Sequence, residues 1–302
     1  MDNIYDIIVV GGGPAGLTAA LYARRANKTV LIIEKGAFGG QITFSPKVEN
    51  IPGFTELSGN EFADKLVEQV MYQGAEIEIG EVTEIQNGDI KTVVTDMGSY
   101  QSKAVIIAVG AKHRLLGLKD DHKWVGNGVS FCAVCDGAFY RDKVVGVVGG
   151  GNSALQEALL LSDLASKVIV MQNLDYFTGE QKLVDQLYQK DNVEIILGAV
   201  VTEYVGDKDL TGVVIKTANG TQTVELDGLF VAIGLIPQNE PFENVIALNA
   251  WGYADSTETC TTKTDGIFVA GDCRSKRIRQ VATAVADGAI SALAACDYID
   301  KR

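Results

Sequence analysis

One glycine-rich pattern occurs twice in this 302-residue chain, and it limits the possible folds more than any other feature. The first copy places Gly11, Gly13 and Gly16 between an apolar strand and a helical stretch, and a second apolar strand then ends at Glu34. Glycines at this spacing allow a tight turn, so that backbone N–H groups at a helix N-terminus approach a pyrophosphate while the acid bonds the ribose hydroxyls. The pattern therefore predicts a dinucleotide site.

The second copy carries Gly149, Gly151 and Ala154 at the same spacing. Two turns of this kind predict an α/β protein of two Rossmann-like, three-layer domains, the second inserted into the first. Strand-like runs and a helical pattern that reaches the C-terminus follow the second copy. They predict a discontinuous first domain, residues 1–115 plus 246–302, around an inserted domain, residues 116–245. The loop-like segments 113–119 and 237–241 are the candidate hinges.

Composition restricts the compartment and the partners. The chain is 47% apolar and 22% charged, which is typical of a compact globular protein. Its net charge of -13 would repel nucleic acid and an anionic membrane surface. No apolar run approaches the roughly 18 to 20 residues needed to span a bilayer, and the start MDNIYDIIVV is a strand pattern without a charged leader. We therefore expect a cytoplasmic protein that binds neither nucleic acid nor membrane.

A CxxC pair, Cys132 and Cys135, lies just before the second glycine turn. This spacing closes a small disulfide ring and lowers the pKa of one thiol, so that a reactive thiolate forms near neutral pH. Asp136 follows directly and is placed to move protons to and from a leaving thiolate. An N-terminal helix cap is the alternative role of Asp136, and the two roles are compatible.

The remaining cysteines and the histidines do not predict a metal site. Cys260, Cys273 and Cys296 are isolated in the sequence, and His113 and His122 lack ligand spacing. A four-ligand zinc site would need a second close pair. We expect the three isolated cysteines to be small, buried apolar residues.

Six segments, in chain order and spanning nearly the whole sequence, resemble the low-molecular-weight thioredoxin reductases of bacteria. They are GGGPAG, GGQI (39–42), VENIPGF (48–54), CAVCD, GGGNSA and GDCRSKRIRQVATAVADG (271–288). The resemblance implies FAD in the first domain, a homodimer, and a disulfide that passes electrons from reduced flavin to thioredoxin. It makes Cys135 the flavin-facing sulfur, Cys132 the sulfur that attacks thioredoxin, and Asp136 the acid–base residue.

The resemblance also implies an FAD site, position by position. The first glycine turn and the acid after it would hold the ADP half, and Gln41 and Asn50 would contact the flavin side. Asp272 would bind the ribityl chain or the adjoining phosphate, and residues 279–281 would lie along the pyrimidine edge. The full implied set is Gly11, Gly13, Pro14, Ala15, Gly16, Glu34, Lys35, Gly40, Gln41, Asn50, Val82, Gly110, Asp272, Arg279, Gln280 and Val281.

One segment departs from the family pattern. In NADPH-dependent members the strand after the second glycine turn ends in His-Arg-Arg-x-x-x-Arg, whose cations bind the 2′-phosphate. Here the aligned residues are Gln172, Asn173, Leu174 and Thr178. Each lost charge-assisted hydrogen bond is worth about 1.5–3 kcal/mol, so we expect weak NADPH binding. The acid that NADH would need is also missing at the strand end, since Asp175 comes a few residues late.

Two interpretations of the second glycine turn stay open: a nucleotide site, or a packing turn whose pocket is filled by side chains such as Tyr176 and Phe177. Without a nicotinamide, the electrons must come from a protein. The departure resembles the pyridine-nucleotide-independent branch of the family, in which reduced ferredoxin supplies single electrons to FAD. We expect a ferredoxin-dependent thioredoxin reductase. The alternatives are an NADH- or NADPH-dependent thioredoxin reductase and a non-catalytic flavin redox sensor.

Ferredoxins are generally acidic, so a chain of net charge -13 needs a local positive surface to dock one. The segment RSKRIR, residues 274–279, has four cations in six residues, and Arg24, Arg25 and Lys28 form a second cluster. The alternative is a solvated basic loop in which Arg279 serves only the flavin.

Overall fold

The computed structural model describes residues 4–45 and 48–302, and the chain divides into two compact units. Unit 1 comprises Met1–Lys112 and Ile236–Arg302, and unit 2 comprises His113–Leu235. The second boundary falls earlier than the predicted 245/246, because residues that follow it pack in the core of unit 1. These residues are Phe242, Val245 and Ile246.

The helices and strands alternate in the order expected for two nucleotide folds. Along the chain up to the first crossover they are β1 (Ile4–Val10), α1 (Pro14–Arg25), β2 (Val30–Glu34), α2 (Gly59–Tyr72), β3 (Glu76–Ile79), β4 (Val82–Gln86), β5 (Lys91–Thr95), β6 (Gly98–Ile107) and β7 (Ala111–His113). Unit 2 continues with α3 (Asp121–Trp124), β8 (Val129–Ser130), α4 (Ala133–Asp136), β9 (Val144–Val148), α5 (Asn152–Ser162), β10 (Lys167–Gln172), α6 (Gln181–Tyr188), β11 (Val193–Leu197), β12 (Val200–Gly206), β13 (Leu210–Thr217), β14 (Gly220–Glu225) and β15 (Gly228–Val231). The chain ends with β16 (Leu235–Pro237), β17 (Ile267–Val269) and α7 (Val281–Asp300).

Unit 1 has three layers around a mainly parallel sheet of order β3-β2-β1-β6, with β17 parallel to β6. Alternate side chains of β1 point to opposite faces, as the two-residue period of a strand requires. Ile7 and Val9 pack under α1 and α7, whereas Ile8 and Val10 pack under the antiparallel strands β4 and β5. Both faces of the strand are therefore buried, which explains its continuous apolar sequence.

Helix α7 is long and apolar enough, by length and composition alone, to cross a membrane. In this fold it packs against α1. A Cβ on Gly288 would lie 2.3 Å from the Ala15 carbonyl oxygen, so the helices approach closely only because that residue is glycine. Ala292 and Ala295 of α7 are fully buried in the same core. We interpret α7 as a core helix of unit 1.

Unit 2 repeats the plan with a five-stranded parallel sheet of order β11-β10-β9-β15-β8. On one face, Val145 and Val147 pack with Leu155 of α5. On the other face, Val148 packs with Val213 of the antiparallel sheet β12-β13-β14. The connecting strands β7 and β16 pair with each other. The predicted fold class, with two Rossmann-like α/β folds, is confirmed.

Candidate active site

The first glycine turn joins β1 to α1 and leaves the start of that helix open. Gly11 has φ +109°, and a Cβ there would lie 2.4 Å from the Ala108 carbonyl oxygen. A Cβ on Gly16 would lie 1.9 Å from the Gly11 carbonyl oxygen, so both positions require glycine. Gly13 has open space around it, and within the described residues no side chain caps α1. Free N–H groups beside open space fit the pyrophosphate of a dinucleotide.

Glu34 lies at the end of β2, beside this turn. Its carboxylate accepts hydrogen bonds from the Gly12 N–H at 2.6 Å and from the Gly36 N–H at 2.9 Å. The acid is thus held at the mouth of the turn, where a ribose would follow the pyrophosphate. Four of the predicted cofactor residues line one cavity of about 70 Å³ there: Gly11, Glu34, Lys35 and Val82.

The loop after β17 lies against the first turn of α1. A Cβ on Gly271, whose φ is +78°, would lie 2.8 Å from the Ala15 Cβ. Asp272 follows, and its Oδ1 is buried without a hydrogen bond from any described residue, although Lys276 Nζ lies 3.3 Å away. Burial raises the pKa of this carboxyl, and Lys276 partly opposes the effect. A buried carboxylate oxygen that has Lys276 as its cationic neighbour, next to the glycine turn, fits a ribityl hydroxyl of FAD.

The start of α7 carries the residues expected along the flavin. Gln280 is the N-cap residue of α7, and its Oε1 accepts a hydrogen bond from Asn50 Nδ2 at 3.3 Å. Arg279 Nε donates to the Asp272 carbonyl oxygen at 3.3 Å, and its guanidinium lies 4.1 Å from the centroid of the Tyr253 ring. The structure therefore brings Asn50, Asp272 and the start of α7 together. Tyr253 was missed in the sequence, because nothing in its segment marks it as the support of an arginine.

The remaining predicted cofactor residues also lie in unit 1. Pro14 is the first residue of α1, and Val281 packs against the small cluster around Val48. Gly40 and Gln41 begin a short 3₁₀ segment. Gly110, at φ +66°, precedes β7 and adopts a backbone conformation that favours glycine.

In unit 2, Cys132 and Cys135 form a disulfide at the start of α4, with 5.3 Å between their Cα atoms. Cys132 is the N-cap residue of α4, and its Sγ accepts a hydrogen bond from the Cys135 N–H at 3.2 Å. Val134, between them, is 63% exposed. An N–H directed at Cys132 Sγ would stabilise a thiolate there, which favours Cys132 as the nucleophile of the pair.

Asp136 ends α4 with a largely buried carboxyl group. Its Oδ2 accepts a hydrogen bond from the Ser130 hydroxyl at 2.6 Å, and its Oδ1 is buried without a partner among the described residues. Burial raises the pKa of Asp136, and the Ser130 hydrogen bond lowers it in part. The side chain makes no capping bond, so the alternative role as a helix cap is wrong. Ser130 was also missed; the only signal was a serine in the buried strand before the CxxC pair.

The other cysteines and the histidines form no second redox pair or metal site among the described residues. Cys260, Cys273 and Cys296 are buried, which confirms the prediction for them. His113 stacks on Phe131, with 4.5 Å between ring centroids, and burial lowers its pKa to about 4. Within residues 4–45 and 48–302, no group of three or more His, Cys, Asp or Glu side chains could hold a metal ion.

The second glycine turn opens onto a cavity of about 630 Å³ in unit 2. Gly149 has φ +136°, and Gly151 is the N-cap residue of α5. Asn173, Leu174 and Thr178 line the cavity at the positions that carry arginine in the NADPH pattern. Arg114 is the only charged side chain among the described residues that line it. The cavity thus opens at a nucleotide-type turn but offers one cation, Arg114, where the NADPH pattern has several.

Aromatic side chains do not fill this cavity. Tyr176 is 57% exposed, and Phe177 packs against the core cluster under α5. Gln172 lies beneath Gly150, where a Cβ would come within 2.3 Å of its side-chain nitrogen. The amide of Gln172 donates to the Tyr176 carbonyl oxygen and accepts from the Asn173 N–H, both at 3.2 Å. The pocket is therefore open, although Gln172 already uses its polar atoms within the loop.

Two cations of the segment 274–279 are neutralised within unit 1. Arg274 is buried, and its Nη1 lies 2.6 Å from Asp287 Oδ1. Lys276 lies 3.0 Å from Asp287 Oδ2 and 3.3 Å from Asp272 Oδ1, so two carboxylates balance the two cations. Arg277 is exposed. The expected solvated loop is therefore wrong for Arg274, because Asp287 of α7 draws its side chain into the interior.

The second basic cluster is also partly neutralised. Lys28 forms an ion pair with Asp300, and Arg24 donates hydrogen bonds to the carbonyl oxygens of Gln73 and Lys28. Arg25 is exposed. The positive surface expected from the sequence is consequently smaller than its cation count indicates.

Comparisons with known proteins cover nearly the whole chain. The family described as pyridine nucleotide-disulphide oxidoreductase matches residues 5–288. The chain is 40% identical to the thioredoxin reductase of Listeria monocytogenes, over 99% of this chain and 95% of that protein. It is also 40% identical to a "34.2 kDa protein in rubredoxin operon" of Clostridium pasteurianum, over 97% of each. The solved thioredoxin reductase of Streptococcus pyogenes is 39% identical, with a TM-score of 0.95 over 100% of both chains.

Proposed function

The chain belongs to the thioredoxin reductase family of pyridine nucleotide-disulphide oxidoreductases, whose cofactor is FAD, and from this premise we propose that it reduces thioredoxin with electrons from reduced ferredoxin. The observation that carries the choice of donor is the cavity at the second glycine turn, which lacks the cations of a 2′-phosphate site. The choice of donor and the thiol chemistry rest on different residues.

FAD, when bound, collects electrons from the donor and delivers them as a pair to the disulfide. Unit 1 supplies the residues that fit it. The turn at Gly11, Gly13 and Gly16 would hold the pyrophosphate, and Glu34 would bond the adenosine ribose. Asp272, with its buried oxygen free of hydrogen bonds from described residues, would accept a bond from the ribityl chain.

The chain's own thiols then transfer the electron pair. The Cys132 thiolate attacks the thioredoxin disulfide, forming a mixed disulfide and releasing one thioredoxin thiolate. Cys135 gives its proton to Asp136, and its thiolate attacks Cys132 Sγ, which restores the enzyme disulfide and releases the second thioredoxin thiolate. The proton held by Asp136 protonates one product thiolate, and the proton that Cys132 released to solvent when it ionised is returned from solvent to the other. The raised pKa of Asp136 suits such exchange closer to neutral pH than an exposed aspartate would allow.

The cavity supports a protein donor over NADPH. Asn173, Leu174 and Thr178 offer no positive charge to a 2′-phosphate, and Arg114 is one cation where the family pattern has several. Losing several charge-assisted hydrogen bonds at about 1.5–3 kcal/mol each weakens binding by orders of magnitude.

A second candidate donor is NADH, and the open cavity favours it. NADH has no 2′-phosphate, so the missing cations do not count against it, and a volume of about 630 Å³ leaves room for a nucleotide. The strand end opposes it, because Gln172 is neutral and already hydrogen-bonded within its loop. We rank NADH below ferredoxin for that reason.

The test is an anaerobic comparison of donors. The FAD-loaded protein and oxidised thioredoxin are mixed separately with NADPH, NADH and photochemically reduced ferredoxin, and the flavin absorbance and the thioredoxin thiols are followed. We expect ferredoxin to bleach the flavin and to reduce thioredoxin. The Cys132→Ser variant is the matched control, since its flavin should still bleach while thioredoxin stays oxidised.

Contrary results would separate an error in the proposed donor from an error in the proposed reductase activity. Fast bleaching by NADPH or NADH, with slow bleaching by ferredoxin, would refute the proposed donor. Bleaching by ferredoxin without thioredoxin reduction in the unaltered protein would refute the reductase activity and favour a redox sensor.

A further inference from the structure

Ser130 lies outside the residues assigned above to cofactor or thiol chemistry, yet it contacts two of the active-site residues. Its hydroxyl donates to Asp136 Oδ2 at 2.6 Å and accepts a hydrogen bond from the Cys132 N–H at 3.1 Å. A serine hydroxyl has one proton, which Ser130 donates to the carboxylate, and a lone pair of its oxygen accepts the hydrogen bond from the N–H. One buried side chain therefore joins the backbone at the redox pair to the acid–base residue.

The position of Ser130 is fixed by the sheet. It is the last residue of β8, is 6% exposed, and pairs in register with Phe230 of β15, which is fully buried. Asp136, by contrast, ends a helix of four residues. Its hydrogen bond to Ser130 is the only one that the described residues give its carboxyl group. The sheet thus holds Oδ2, and Oδ1 is left free for proton exchange.

We propose that Ser130 is a positioning residue for the thiol chemistry, which fixes the Asp136 carboxylate through Oδ2 and the Cys132 backbone through its N–H, so that Oδ1 exchanges the proton of the redox thiols. The inference rests on the proposed function, since it concerns the same disulfide. No atom of Ser130 changes its bonding during the reaction.

The hydroxyl also sets the direction of a pH effect. A hydrogen bond donated to a carboxylate favours the ionised form, whereas burial favours the neutral form. Without Ser130, burial acts alone, so the pKa of Asp136 rises further above its usual value. The pH at which Asp136 becomes a base then moves upward.

Other titratable groups lie on the elements next to Asp136, and they are the same in the unaltered protein and in the Ser130 variants. Tyr140, in the 3₁₀ segment after α4, has its pKa raised to about 12 by burial and by the charge of Asp136. Helix α5 packs against α4 and contributes Glu157, whose pKa burial raises to about 8. Both groups are present in the unaltered protein and in Ser130 variants, so the difference between the two reports on Asp136.

The experiment measures the thiols directly, without electron donor or thioredoxin. The FAD-loaded protein is reduced with dithiothreitol, which is then removed anaerobically, and alkylation of Cys132 by iodoacetamide is followed across pH by mass spectrometry. In the unaltered protein we expect an inflection from Asp136, and Asp136→Asn should abolish it. Ser130→Ala should move the inflection up by about one pH unit, which corresponds to the loss of one hydrogen bond to a charged group. Ser130→Thr keeps the hydroxyl and should restore the original profile.

Turnover gives the second readout. With thioredoxin at saturation, Ser130→Ala should lower kcat about tenfold and leave KM unchanged, a small part of what general acid–base catalysis contributes. An unshifted inflection in Ser130→Ala would overturn the inference. If that variant does not fold, Ser130→Thr and Ser130→Val, which have nearly the same shape and differ in the hydroxyl, give the same comparison without adding a thiol. Failure of the unaltered protein to reduce thioredoxin would refute the proposed function while the alkylation result still judges Ser130.

Discussion

Replacing Glu157 with glutamine is expected to stabilise unit 2, and to do so more strongly as the pH rises. Glu157 lies on α5, and its Oε2 is buried without a hydrogen-bond partner among the described residues. Burial raises the pKa of this carboxyl from 4.5 to about 8. Because an unpartnered buried charge is disfavoured, the group stays protonated in the folded protein and ionises in the unfolded chain.

The size of the effect follows from the two pKa values. At pH values between the unfolded and the folded pKa of Glu157, the folded protein binds one more proton than the unfolded chain. Raising the pH in this range therefore lowers the free energy of unfolding by about 1.4 kcal/mol per pH unit. From about pH 5.5 to about pH 7.5, Glu157 therefore removes roughly 2 to 3 kcal/mol of stability. Glutamine does not titrate, so Glu157→Gln should be spared this loss, while all other titrating groups act equally in both proteins.

Urea unfolding at the two pH values, followed by tryptophan fluorescence, measures this difference. The chain has two tryptophans: Trp124 is 5% exposed in unit 2, and Trp251 is 77% exposed in unit 1. A Trp251→Phe background thus makes the signal specific for unit 2. Asp175→Asn, which removes an exposed carboxylate from the same unit, is the matched control and should show no pH-dependent gain. An advantage of Glu157→Gln that is equal at both pH values would refute the reasoning.

Two further predictions concern the donor and the thiols. The triple variant Asn173→Arg, Leu174→Arg, Thr178→Arg should raise the rate of flavin bleaching by NADPH at least about tenfold and leave the rate of bleaching by NADH nearly unchanged. The reason is that each new guanidinium can add a charge-assisted bond only to the 2′-phosphate. Equal gains with both nucleotides would contradict the interpretation that the cavity lacks a 2′-phosphate site. Cys135→Ser should trap a covalent complex with a single-cysteine thioredoxin activated as a thionitrobenzoate disulfide, whereas Cys132→Ser should not, and a non-reducing gel separates the cases.

The fold was predictable because its signals are local. Each glycine turn lies between an apolar strand and a helix, and a reader of the sequence needs only that order to expect two nucleotide folds. The steric demands seen at Gly11 and Gly16 explain why the signal is strict. The exact domain boundary could not be predicted from local sequence, because it depends on where Phe242 packs in three dimensions.

The prediction from the charge pattern was wrong because it, too, depends on contacts between residues that are distant in the sequence. Four cations in six residues predict an exposed positive surface, because the carboxylates that pair with them in the fold cannot be identified from the sequence. Asp287 is 13 residues from Arg274 in the sequence and 2.6 Å from it in space, so a residue of the helix after the basic segment pairs with this arginine. The partner of Asp136 was likewise invisible, since the strand that holds Ser130 carries no motif of its own.

The two glycine turns show that the backbone of a nucleotide site and its preference for a ligand are separable. In each turn the residue that ends the next strand reaches back beneath the middle glycine: Glu34 accepts the Gly12 N–H, and Gln172 lies under Gly150. Gly149 is required both by its φ of +136° and by packing, since a Cβ there would lie 2.5 Å from the Ala232 carbonyl oxygen. Packing and backbone conformation therefore require glycine at this position independently of any nucleotide. The two turns differ at the strand end, where Glu34 offers a carboxylate and Gln172 a neutral amide whose oxygen and nitrogen each already make one hydrogen bond within the loop.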